Sequence, residues 1–204
     1  MGKILPFGAR GARARLRQAH HHHQLVRLWR GRLEQGSFCG YVGGVGREFF
    51  LLRVIGDNLT DEGLYAMRHR DITGLEAPEA HHRFIEKALA IRHVVPELPC
   101  AFPLDAVNDV VEAAGRRAPV MGVHVDSEDD NEVCYIGRLL DTEDDGFNLQ
   151  EIDADAHWLR EPSFFAWDEV STVSMDDPYA SALAAVAGTA PPLDQSDDGR
   201  GHGS

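Results

Sequence analysis

The sequence predicts a mainly β protein with flanking helices, built as two tandem five-stranded small barrels. Three observations carry that expectation. The stretch 40–76, "GYVGGVGREFFLLRVIGDNLTDEGLYAMRHRDITGLE", returns in degraded form at 134–174 as "CYIGRLLDTEDDGFNLQEIDADAHWLREPSFFAWDEVSTVS". Both copies break into short aromatic and β-branched runs separated by Gly, Asp and Asn, the punctuation of strands and turns. Each is then followed by an amphipathic segment that opens on a proline, Pro78 or Pro178. Self-similarity at this spacing fits duplication of a whole small domain and is too long for a solenoid repeat.

The copies correspond in order and chemistry more than in identity. Tyr41, Val42 and Gly43 answer to Tyr135, Ile136 and Gly137; Phe50 and Leu52 to Phe147 and Leu149; Met67 to Phe165; and Ile72, Thr73 and Leu75 to Val170, Ser171 and Val173. In the first copy "QLVRLWRGRLEQGSF" is expected as strand one, with Val26, Leu28 and Arg30 on one side and a short helix as the alternative. "FCGYVGGV" and "EFFLLRVI" form a hairpin around Gly46 and Arg47, where glycine would supply a positive φ. The second of these strands is apolar on both faces, as expected if one lines a barrel and the other lies under a helix or a neighbouring domain. "LYAMRHR" and "ITGLE" complete the five, and Pro78 opens a helix to about His93.

The prolines at 96, 99 and 103 make 94–103 an extended linker. A helix follows in "LDAVNDVVEAAG", then five strands, "PVMGVHVD", "VCYIGRLLD", "GFNLQEID", "SFFAW" and "VSTVS". Asp177 and Pro178 are the N-cap and first-turn pair of a closing helix. The expected domains are therefore 24–93 and 104–187. Residues 1–23, rich in Arg, Gly, Ala and His and without an evident apolar stripe, are expected to be disordered, as are the polar residues 188–204.

Of the 204 residues 43% are hydrophobic, and no run approaches the roughly 20 apolar residues that cross a bilayer. Cys39, Cys100 and Cys134 are widely spaced and read as buried reduced thiols of a cytosolic protein. Charge is uneven: residues 1–32 hold eight Lys or Arg and no acid, and the rest holds 12 against all 33 Asp and Glu. A body this acidic repels phosphate backbones and favours a basic protein partner.

Catalytic, cofactor and metal residues are expected to be absent. "EAHHRFIE" lacks the two histidines four apart that a zinc-protease helix needs, and the acidic turn 141–146 has Ile152 where a calcium loop needs glutamate. Phe49 stands where a dinucleotide fingerprint needs its third glycine, and Cys134 lies in a strand without a nearby basic helix terminus. Trp29, Trp158 and Trp167 are expected to pack. Two charged patches remain as candidates. Glu128, Asp129, Asp130, Asp141, Glu143, Asp144 and Asp145 could form an acidic partner-binding patch, and Arg10, Arg13, Arg15, Arg17, Arg27, Arg30 and Arg32 a basic arm for nucleic acid.

A helix followed by five short, bent strands, with "MRHRDITGL" and "FAWDEVSTV" as the last hairpins, resembles the Sm-like and SH3-like small barrels. From about residue 25 to 186 the chain also resembles uncharacterised bacterial proteins carrying "GYVV..V..EFFLL.....I..DGY..LR..DIT.LE", closely in the first copy and by its apolar skeleton in the second. The resemblance implies a fold and no activity. Sm-like RNA binders grip a base with an Asp and Asn in one loop and an Arg-Gly in another, and neither pair stands in "GVGRE", "DTEDDG", "RHRDIT" or "WDEVST". The functional expectation is a non-enzymatic cytoplasmic module that binds a protein partner, as an immunity or accessory factor, without a membrane and without a cofactor. RNA binding through the arginine arm is the alternative.

Overall fold

The structure is a computed structural model that describes residues 9–193 apart from 32, 34, 35 and 127–131. The first half runs α1 (Ala9–His21), β1 (Leu25–Trp29), β2 (Ser37–Val45), β3 (Phe49–Ile55), β4 (Asp61–Arg68), β5 (Gly74–Glu76) and α2 (His82–Ile91). The second runs α3 (Val107–Arg117), β6 (Met121–Asp126), β7 (Glu132–Thr142), β8 (Gly146–Glu151), β9 (Ser163–Ala166), β10 (Val170–Met175) and α4 (Pro178–Ala187). All ten strands form one antiparallel sheet in the order β5-β1-β2-β3-β4-β10-β6-β7-β8-β9. Each half therefore has the same internal order: fifth, first, second, third, fourth.

The chain does not divide into two closed barrels. The sheet is open, and it runs through the middle because β4 takes β10 as its neighbour, pairing Met67 with Thr172 and Leu64 with Met175. Pairing these two edges gives their backbone amides and carbonyls partners that two separate units would leave to solvent.

Alternation within β3 explains how the halves share a core. Phe50, Leu52 and Val54 pack with Val26, Leu28, Met67 and Leu75 in the first half's own core. Phe49 and Leu51 face the other way, and with Leu64 and Ala66 they join Val110, Val111, Val123, Phe147 and Val173 of the second half. The strand expected to be apolar on both faces is buried on both, with the second half as the cover.

The two halves pack alike. On α2, Ile85 and Leu89 sit on Leu25, Cys39 and Ile55; on α4, Ala180 and Leu183 sit on Val120 and Ile152, with Ile136 beside them. Leading helices match as well, and within the stretch expected to be disordered residues 9–21 form α1. Ala12, Leu16 and Ala19, four and three residues apart, are fully buried on the first-half core. Small apolar residues at that spacing make a helical stripe even among arginines. Leu16→Ala is expected to cost about 2–5 kcal/mol in urea unfolding, the range for a buried leucine, where a disordered tail would show no change.

Local corrections have local causes. Gly46 has no positive φ; it is needed because a Cβ there would lie 2.2 Å from the Leu104 carbonyl oxygen. That same oxygen accepts the Phe49 amide at 3.0 Å, and Asp105 Oδ1 accepts the Arg47 amide at 2.7 Å. Leu104 and Asp105 are thus bound to the β2–β3 turn, and α3 starts at Val107, three residues after the expected position. Around α2 the expected span from Pro78 to His93 shortens to His82–Ile91. In the closing helix, Asp177 caps as expected by accepting the Ala180 amide at 2.8 Å.

The first pairing between copies shifts by three residues. A Cβ on Gly40 would meet the Arg53 oxygen at 2.1 Å, and one on Gly137 the Gln150 oxygen at 2.3 Å, with Leu52 and Leu149 next to them respectively. In each half the strand bulges two residues later, after Val42 and after Leu139. Gly40, not Gly43, is the counterpart of Gly137.

Candidate functional site

The seam between the halves holds a largely buried polar cluster. Arg30 follows β1 directly, and strand alternation turns it to the same side as Val26 and Leu28, so it is carried inward with them. Its side chain is fully buried, and Nη2 donates to Glu132 Oε1 at 2.7 Å while Nη1 donates to Thr172 Oγ1 at 2.7 Å. Glu132 also accepts from the Ser171 hydroxyl and, at 3.2 Å, from Thr172. His124 completes the shell, with Nδ1 at 3.2 Å from Glu132 Oε2. Nearby, Arg68 crosses the seam to donate to the Trp167 and Asp168 carbonyls, and the Tyr65 hydroxyl donates to Asp177 Oδ2.

Burial by itself would raise the pKa of Glu132, but the His124 hydrogen bond, the Arg30 and His124 charges and the Ser171 hydroxyl bring it down from 4.5 to about 2. Burial would likewise lower His124, but hydrogen bonding to Cys134 and Glu132, and their charges, raise it from 6.5 to about 9. The His124 contribution to stability is complete below pH 6.5 and is lost as pH rises through about 9. That of Glu132 is complete above pH 4.5 and is lost as pH falls through about 2. Urea melts across pH should therefore show the cluster stabilising most between pH 4.5 and 6.5, and His124→Gln should flatten the alkaline limb.

The arginine arm is not one surface. Arg15 donates to the Leu75 and Ala77 carbonyls, Arg27 to Glu79 and Ser37, and Arg30 to the seam. Arg10, Arg13 and Arg17 lie on α1, and Arg32 falls outside the described residues. Deleting 1–23 would remove a packed helix. Of the acidic patch, Glu128, Asp129 and Asp130 lie outside the described residues; Asp141, Glu143, Asp144 and Asp145 are exposed about the β7–β8 turn, where the Asn148 amide donates to Asp141 and Glu143 at 2.8 Å each.

Among the described residues no three His, Cys, Asp or Glu side chains form a group that could hold a metal ion, and no helix is long and apolar enough to cross a membrane. Cys39 is buried, whereas Cys100 and Cys134 are exposed, which corrects the expectation that all three are buried. Trp158 donates to the Gly188 carbonyl at 3.0 Å, and Trp167 stacks on Phe147.

One surface feature repeats across the halves. The residue before the first buried position of each trailing helix is a large exposed aromatic, and a β-branched residue stands seven further on: Phe84 and Ile91 on α2, Tyr179 and Val186 on α4. Seven residues are about two turns, so each pair shares a helix face. Val95, beyond the end of α2, is also exposed. Beside Phe84 a recess of about 220 Å³ is lined by Ile55, Leu59, Ile85, Arg27 and Glu79.

No family model, curated protein or solved structure matches the chain.

Proposed function

We propose that this protein is a non-enzymatic, cytoplasmic protein-binding module, made of two Sm-like repeats joined edge to edge, whose main docking face is the outer stripe of α2. The repeated strand order, the leading and trailing helices and the paired glycines support the Sm-like reading of each half. The observation that carries the function is the exposed Phe84 and Ile91 pair on α2, with the recess beside Phe84 and the counterpart pair on α4. Large apolar side chains exposed along one helix face make a surface that an apolar partner segment can cover. The occupant is an apolar segment of a basic protein, because the chain carries a formal charge of −13 and the long-range field favours a partner of opposite sign.

Affinity capture with wild type and with the Phe84→Ser, Ile91→Ser double variant tests the reading. The expected result is a basic protein that binds the purified wild type, is released by salt, and is lost in the double variant while the urea midpoint stays unchanged. A set of captured proteins that the double variant leaves unaltered, or turnover of a small molecule by the purified chain, overturns it.

A further inference from the structure

The β6–β7 hairpin brings together a thiol, an imidazole and a carboxylate that lie apart in sequence. His124 and Cys134 are direct cross-strand partners, and Glu132 lies two residues before Cys134, on the same face of β7. The Glu132 carboxylate engages His124 Nδ1 at 3.2 Å, which fixes the ring and keeps its charged form favoured. Ser174 Oγ lies 3.4 Å from Nε2. Gly122 leaves room for the three groups to meet: the point where its Cβ would stand is 2.3 Å from Ser174 Oγ, 3.2 Å from Cys134 Sγ and 3.5 Å from His124 Nε2. Cys134 is an exposed residue, while the glutamate that orients the imidazole has a side chain only 8% exposed.

This is the order of parts in an activated nucleophile: an accessible thiol, an imidazolium beside it that favours the thiolate, and a buried carboxylate that orients the ring. We propose that Cys134 is a nucleophilic modification site, activated by His124 and Glu132, that takes small soft electrophiles. In the reaction the thiol proton passes to water, and the charged His124 imidazolium beside the sulfur stabilises the thiolate that is left. The sulfur then forms a bond to the electrophilic carbon as the bond to the leaving group breaks and that group departs with the electron pair. Hydrogen bonding between Cys134 and His124 also contributes to holding the proton on the imidazole.

Iodoacetamide is the probe, with iodide as the leaving group, and the full chain carries its own controls. Cys100 is an exposed thiol in the proline-rich linker, and Cys39 is buried. Site-resolved mass spectrometry at pH 7 with short exposures is expected to show Cys134 alkylated at least about ten times faster than Cys100, with Cys39 protected. His124→Gln is expected to bring Cys134 to the rate of Cys100 without altering Cys100. A wild-type Cys134 that reacts no faster than Cys100 overturns the proposal without recourse to any variant. So does an unchanged Cys134 rate in a His124→Gln protein whose Cys39 remains protected.

Discussion

Replacing Arg30 with methionine is expected to lower the unfolding free energy by about 3–5 kcal/mol, the cost of removing one partner from a buried ion pair. The guanidinium is fully buried and its partner Glu132 only 8% exposed. Without Arg30, the carboxylate keeps Ser171, Thr172 and His124 as donors but loses the guanidinium counter-charge in a largely buried site. Adding Glu132→Gln to Arg30→Met should recover part of the loss, since the residue left behind no longer carries an uncompensated charge. Urea unfolding of both single variants and the double gives the coupling directly. A loss below about 1 kcal/mol for Arg30→Met would place the pair with solvated surface bridges.

Alanine at Gly40 or at Gly137 is expected to cost about 3 kcal/mol, at the upper end for overpacking a well-filled site. At both positions the methyl would land on a carbonyl oxygen of the neighbouring strand, at 2.1 Å and 2.3 Å. A ladder carbonyl cannot rotate away without breaking its pairing, so the strain has no cheap outlet. Gly43 provides the contrast. Its nearest obstacles are the ends of the Leu51 and Leu98 side chains, at 3.2 Å and 3.3 Å, which can shift, so Gly43→Ala should cost under about 1 kcal/mol. The order of the three penalties, read by urea unfolding, decides which glycine of the first half answers to Gly137.

These two effects mark what sequence reading could and could not reach. The strands and trailing helices were legible because alternation and the Pro78 and Pro178 openings are local signals. The register of the first pairing was not: Tyr41-Val42-Gly43 and Tyr135-Ile136-Gly137 look alike as letters, but the constraint on a glycine comes from a carbonyl on another strand. Arg30 looked like one more charge in a basic arm, because composition does not show that β1 carries it inward beside Leu28. The α1 stripe was hidden for the converse reason, with Ala12 and Ala19 too small to stand out among arginines.

The seam itself left only an indirect trace. Periodicity within a strand cannot name the edge it will join, so the β4–β10 pairing was invisible. The doubly apolar β3 nevertheless required a second cover, and Phe49 and Leu51 received it from the other half. The Cys134 cluster had a readable signal that went unused: a hairpin in which Asp126 faces Glu132 must set His124 against Cys134. Treating Cys134 as an isolated strand residue discarded that register.

The central claim is that the two halves form one cooperative body, joined by a continuous sheet and a shared core. Each half has its own fluorescent reporter, Trp29 in β1 and Trp167 beside β9. Urea unfolding should be followed in two variants, one keeping only Trp29 and the other only Trp167, with phenylalanine at the remaining tryptophans. A shared core predicts that the two transitions coincide in midpoint and slope once each variant is referenced to its own far-ultraviolet circular dichroism. Separate midpoints within one variant, with its tryptophan reporting one transition and circular dichroism two, would mean that the halves unfold independently and that the seam does not join them.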